Sequence, residues 1–92
     1  MADDLRWIPW EWSSEDKVWE WSIGNLIFWL YEMKGGEWRW EVFDHLNNDK
    51  SLCYEQWKVS SPDKALAKAD KATVKYSLDK LAEQTGWDKP KL

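Results

Sequence analysis

Polar and apolar residues alternate along residues 17–23, with Lys17, Trp19, Trp21 and Ile23 on one side and Val18, Glu20 and Ser22 on the other. A period of two marks a strand with two unlike faces, because successive side chains leave a pleated backbone in opposite directions. Gly24-Asn25 follows; both residue types tolerate positive φ, which predicts a two-residue hairpin turn. Residues 26–31 (Leu-Ile-Phe-Trp-Leu-Tyr) are apolar without interruption, the pattern of a central strand covered on both faces. The run is far shorter than the roughly 20 residues of a membrane-spanning helix, and the charges of Glu32 and Lys34 close it. Gly35-Gly36 marks a second turn. Beyond it residues 37–44 alternate again, Trp38, Trp40 and Val42 against Glu37, Arg39 and Glu41.

Turn length decides which side chains share a face, since a slip of one residue inverts a whole strand. With two- or four-residue turns at both positions, Ile23 lies opposite Leu26, Trp21 opposite Phe28 and Trp19 opposite Leu30. Across the second turn Met33 then meets Trp38, Tyr31 meets Trp40 and Trp29 meets Val42. This register predicts one face of Trp19, Trp21, Ile23, Leu26, Phe28, Leu30 and Phe43. The opposite face holds Ile27, Trp29, Tyr31, Met33, Trp38, Trp40 and Val42. Each aromatic side chain carries roughly 150–250 Å² of surface, so both faces need a cover.

Residues 6–12 predict a first strand, confined to a sheet edge by Pro9, and Ser13-Ser14-Glu15-Asp16 turn it into the second. A polar loop at 45–50 leads to a strand over residues 51–59, with Cys53, Glu55, Trp57 and Val59 on one side and Leu52, Tyr54, Gln56 and Lys58 on the other. Ser61 as cap, Pro62 at the first helical position and Asp63 beside the positive end of the dipole start a helix. Gly86, with Trp87 folding back, ends it near residue 85. At 100° per residue, Ala67, Val74, Leu78 and Leu81 form the heavier stripe, predicted to pack on the sheet. Ala65, Ala69, Ala72 and Tyr76 then form the outer side, flanked by Lys64, Lys68, Lys71 and Lys75. The fold class expected is α+β in a single domain over residues 1–92. It is a meander of four or five antiparallel strands (about 6–12, 17–23, 26–33, 37–44 and 51–59) with one long C-terminal helix (about 62–85) on one face.

Composition narrows the function. Ten tryptophans enlarge the core that 92 residues can build. The net charge of −4 argues against duplex DNA or an anionic membrane as partner, and it is uneven. Residues 1–61 hold 12 Asp and Glu against 6 Lys and Arg, a net of −6, whereas residues 62–92 hold 5 against 7, a net of +2. Cys53 is the single cysteine, so no internal disulfide forms. The start Met1-Ala2-Asp3-Asp4 is acidic where a secretory signal is basic, which points to the cytoplasm.

Catalytic patterns are weak. His45, the only histidine, sits near Asp44 and Asp49, but Asn and Asp clusters in hairpin loops are ordinary turn chemistry, so no metal site is expected. Cys53 has no second histidine to activate it. Glu11, Glu20 and Glu41 stand beside tryptophans as glycosidase carboxylates do, yet alternating strands place such residues in solvent anyway. No phosphate-cradling glycine loop is present in the sequence. Neither an enzymatic activity nor a cofactor is expected.

Binding remains. An uncovered aromatic face holding Trp19, Trp21 and Phe43, rimmed by Glu20, Glu32, Glu37, Glu41 and Asp44, would serve as a protein-docking surface. An acidic rim favours a basic partner, such as the nucleic-acid-binding surface of another protein, which the domain would occupy as an inhibitor or modulator. Small counter-defence proteins of phages and mobile elements, anti-CRISPR and anti-restriction inhibitors among them, act in that general way. The parallel is one of size, charge and architecture, without a shared motif. The alternatives are an aromatic platform for carbohydrate or single-stranded nucleic acid, and a structural module whose second face is covered by a twin subunit. With Arg6 and Arg39 the only arginines, direct nucleic-acid binding is disfavoured.

Overall fold

The structure, a computed structural model, describes residues 8–85, with side chains as far as Glu83. Five antiparallel strands lie side by side in chain order: β1 (Glu11–Ser13), β2 (Val18–Ile23), β3 (Leu26–Glu32), β4 (Glu37–Asp44) and β5 (Lys50–Lys58). One helix, α1 (Pro62–Thr85), follows and packs against the sheet. This is the α+β meander that the alternation and the glycine turns predict. Residues 6 and 7 of the expected first strand, and the Gly86-Trp87 helix ending, lie outside the described residues. Pro9 stands before the β1 ladder, which is only three residues long.

The first hairpin has the expected two-residue turn: Ile23 pairs with Leu26, and Gly24 takes φ +59°. Asn25 anchors that turn to the far end of β4, donating from Nδ2 to Asp44 Oδ1 at 2.8 Å and accepting from the His45 N–H at 2.8 Å.

The second hairpin differs from expectation. Glu32, not Met33, pairs with Trp38. The Met33 N–H donates to the Glu37 carbonyl (2.7 Å) and the Glu37 N–H to the Lys34 carbonyl (3.1 Å). The loop is therefore Lys34-Gly35-Gly36, three residues, with its glycines at φ +62° and +79°. Two glycines supply the left-handed positions such a loop demands. One residue of difference turns every side chain of β4 over. Trp38, Trp40 and Val42 consequently join Trp19, Trp21, Phe28 and Leu30 on one face, while Phe43 moves to the other beside Trp29 and Tyr31.

On the helix side a row crosses all five strands: Trp12, Trp19, Leu30, Trp40 and Glu55. Phe28, Leu30, Trp38, Trp40 and Val42 are buried there under α1, which lies across β3 and β4. The helix presents Ala65, Ala69, Ala72 and Tyr76 to them, with Leu66 and Thr73. That is the reverse of the stripe expected to pack: Ala67 is exposed, and Leu81 is 45% exposed. The indoles already supply the volume of this core, so methyl side chains let the helix approach where a row of leucines would overfill the space. Tyr76 fits edge-on between Phe28 and Trp40, its ring centroid 6.0 and 6.2 Å from theirs. Two indole N–H groups fasten the helix, Trp40 donating to Thr73 Oγ1 at 2.8 Å and Trp10 to Asp70 Oδ1 at 2.5 Å.

Candidate protein-docking face

With the helix on one side, the opposite side of the sheet carries a second row through all five strands: Glu11, Glu20, Trp29, Glu41 and Tyr54. Beside it run Ile27 and Phe43 on one flank and Tyr31, Arg39 and Gln56 on the other. The aromatic side chains brace one another. Trp29 meets Phe43 edge to face at 5.2 Å and Tyr31 at 6.3 Å. All three rings are half-buried, and Tyr54, on the edge strand, is 55% exposed.

Glu41 occupies the centre of this face and is 9% exposed. A carboxylate so placed needs its lone pairs filled. The Tyr31 hydroxyl donates to Oε1 at 2.9 Å and the Ser51 hydroxyl to Oε2 at 2.6 Å. The Arg39 guanidinium comes within 3.9 Å of Oε1 and lies over the Tyr54 ring, 4.0 Å from its centroid. Burial pushes the Tyr31 hydroxyl above its ordinary value; Arg39 offsets part of that rise and the Glu41 carboxylate adds to it. Trp29 Nε1 and Arg39 Nε are buried here without an acceptor among the described residues, so the face is not satisfied internally.

Toward the β1 edge the face becomes acidic. Glu11 and Glu20 are direct cross-strand neighbours, a like-charge arrangement that destabilises a sheet, and neither forms an ion pair among the described residues. Where β1 leaves the sheet, a cleft of about 440 Å³ opens between Pro9, Glu11, Glu20, Trp21 and Ser22.

The residues expected to form one docking surface separate. Glu20, Glu37, Glu41 and Phe43 lie on the helix-free face, Glu41 as a satisfied group rather than a rim charge. Trp19 and Trp21 are on the helix side, partly buried against the core. Glu32 and Asp44 share their side at the strand ends. Asp44 is engaged by the Asn25 side chain and by the Leu46 N–H (3.1 Å), capping a 3₁₀ turn at His45–Asn47. His45 Nδ1 pairs with Asp49 at 3.0 Å. Cys53 is half-buried on the helix side, where burial pushes its thiol up. The expected list lacked Glu11, Trp29, Tyr31, Arg39 and Tyr54; the sign that would have found them is the glycine pair, read as a three-residue loop.

The chain matches no family model, no curated protein and no solved structure. No helix among the described residues is long and apolar enough to cross a membrane.

Proposed function

We propose that the protein is a non-enzymatic docking module that applies the helix-free face of its sheet to a basic surface of a protein partner. The observation that carries this reading is the row Glu11–Glu20–Trp29–Glu41–Tyr54. At one end it keeps two carboxylates opposed with no cation paired to them among the described residues, a cost to folding that a lysine or arginine from a partner would relieve. At its centre it offers aromatic rings, the side chains that anchor protein interfaces. A basic nucleic-acid-binding surface has the complementary charge, and occupying it would make the module an inhibitor or modulator.

A stacking platform for sugars or single-stranded bases needs ring faces open to solvent. Trp29, Tyr31 and Phe43 stand against one another, which leaves Tyr54 as the exposed ring among the described residues of this face, and Arg39 lies over it.

The test is affinity capture from the source organism or its host, run in parallel with the wild-type chain and a Glu11→Lys/Glu20→Lys variant. A basic protein retained by the first and lost by the second supports the reading. Capture indifferent to both reversals removes it.

A further inference from the structure

The two edges of the sheet are built differently. β1 is three residues long and is preceded by Pro9, both of which discourage pairing with another strand. β5 runs for nine residues without proline. A register shift against Val42-Phe43 leaves Leu52 as the extra residue of a bulge, and beyond it Cys53–Lys58 form an uninterrupted edge, about 20 Å at 3.3 Å per residue. Its outward N–H and C=O groups are a template for a sixth strand.

Lysines accompany this edge. Lys64, Lys68, Lys71 and Lys75 fall on one flank of α1, are exposed, and form no ion pair among the described residues. The flank lies on the β5 side: Lys68 Nζ is 5.8 Å from the centroid of the Trp57 ring, and Lys58 and Lys64 line one cleft with Val59 and Ser60. Lys80, farther along the helix, acts electrostatically on the Cys53 thiol and offsets part of the rise that burial causes, while the body of α1 lies over β3 and β4. Against these, β5 itself holds one carboxylate, Glu55.

We propose that the β5 edge is a second docking site, which takes an extended acidic segment of a partner protein as an added strand, with the α1 lysines selecting its charge. Backbone pairing supplies the affinity in this mode and the flanking side chains supply the selectivity. A second copy of the chain is a poor occupant. Its β1 edge covers three residues, and β5 against β5 about a two-fold axis brings the lysine flanks of both copies together. A nucleic acid would satisfy the lysines and leave the backbone edge unpaired.

Glu11 and Glu20 lie toward the opposite edge of the sheet, so Glu11→Lys/Glu20→Lys should leave this site unchanged. Fluorescence anisotropy with a labelled ten-residue peptide of alternating Glu and Thr measures it, against the Lys-Thr counterpart, an N-methylated Glu-Thr peptide and a ten-nucleotide oligo-dT. The Glu-Thr peptide should bind and slow amide exchange at Cys53–Lys58, and the Lys-Thr peptide should not bind. N-methylation should weaken binding about tenfold, the scale of lost backbone hydrogen bonds. Lys68→Glu/Lys71→Glu, at exposed positions, should weaken it by about tenfold as well. No binding of the Glu-Thr peptide, equal binding of the N-methylated peptide, or tighter binding of oligo-dT each overturns the proposal. The N-methyl comparison uses only the wild-type chain, so it decides the matter even if the double variant folds poorly.

Discussion

The indole N–H of Trp40 donates to Thr73 Oγ1 at 2.8 Å, across a boundary between sheet and helix where both residues are buried. The bond fixes the helix at one height over β4, because a donor that loses its acceptor in such a place has no water to replace it. Thr73→Val keeps the shape and removes the acceptor, and should cost about 1–3 kcal/mol. Thr73→Ser keeps the acceptor and loses a methyl group, about 0.8 kcal/mol. Urea midpoints at unchanged slope provide the comparison. A valine variant as stable as the serine variant would show that the bond contributes nothing.

The order of the elements was legible in the sequence because it depends on local signals. Ser61-Pro62-Asp63 starts a helix wherever it is placed, and the alternation of 37–44 needs no neighbour to be seen. The faces were not legible, because they depend on whether Met33 stands opposite Trp38 or Glu37, an even turn or one of three residues, which no periodicity records. The candidate site inherited the error: β2 and β3 pair as expected, but β4 turned over onto the face of Trp19 and Trp21, which became the helix side, and left Trp29 and Tyr31 on the open one. The helix face failed for a separate reason. Stripe weight ranks α1 residues by their own size, whereas packing responds to the sum of both surfaces, and the sheet already held Trp38 and Trp40.

That reversal can be measured. Ala69 is fully buried, so Ala69→Leu should overfill the interface and cost about 1–3 kcal/mol. Ala67 is exposed, and Ala67→Leu should change stability by no more than about 0.5 kcal/mol. Thermal or urea unfolding of the two variants ranks them. Equal effects would place the helix in a different rotation about its axis.

Opposed carboxylates at Glu11 and Glu20 predict a variant that is more stable and less functional. Glu20→Thr removes the repulsion and substitutes a good strand former, a gain of roughly 0.2–1 kcal/mol that shrinks as salt is added. The same change should weaken capture of a basic partner, the usual exchange of stability for function at a binding site. A salt-independent gain would assign the effect to strand propensity rather than to charge.

Alkaline pH should loosen the fold. Burial is the largest cause holding the Tyr31 and Tyr76 hydroxyls above their ordinary 10.0 and the Cys53 thiol above 9.0. The unfolded chain therefore releases these protons first. Their contribution is complete below the ordinary values and is lost as pH rises through the higher folded ones. Urea midpoints should hold steady until about pH 9 and then fall. The Tyr76 hydroxyl is buried with no hydrogen-bond partner in place among the described residues, and Lys80 lies over its ring, so Tyr76→Phe should cost little at neutral pH and make the alkaline fall shallower. An unchanged slope in that variant would remove Tyr76 from the account.

The length of the Lys34-Gly35-Gly36 loop controls more of the molecule than any buried contact. Deleting Gly35 leaves a two-residue connection, and the hairpin must then either strain its turn or slip β4 by one position. Slippage carries Trp38, Trp40 and Val42 out of the core, at roughly 3–5 kcal/mol for each tryptophan lost, comparable in total to the whole stability of a small domain. The deletion should therefore abolish cooperative unfolding and shift tryptophan emission to the red. Gly35→Asn keeps the length, and asparagine tolerates φ near +60°, so that variant should lose about 1 kcal/mol or less and remain cooperative. A deletion variant that still unfolds cooperatively with buried-tryptophan emission would show that core packing, and not the loop, sets the register of β4.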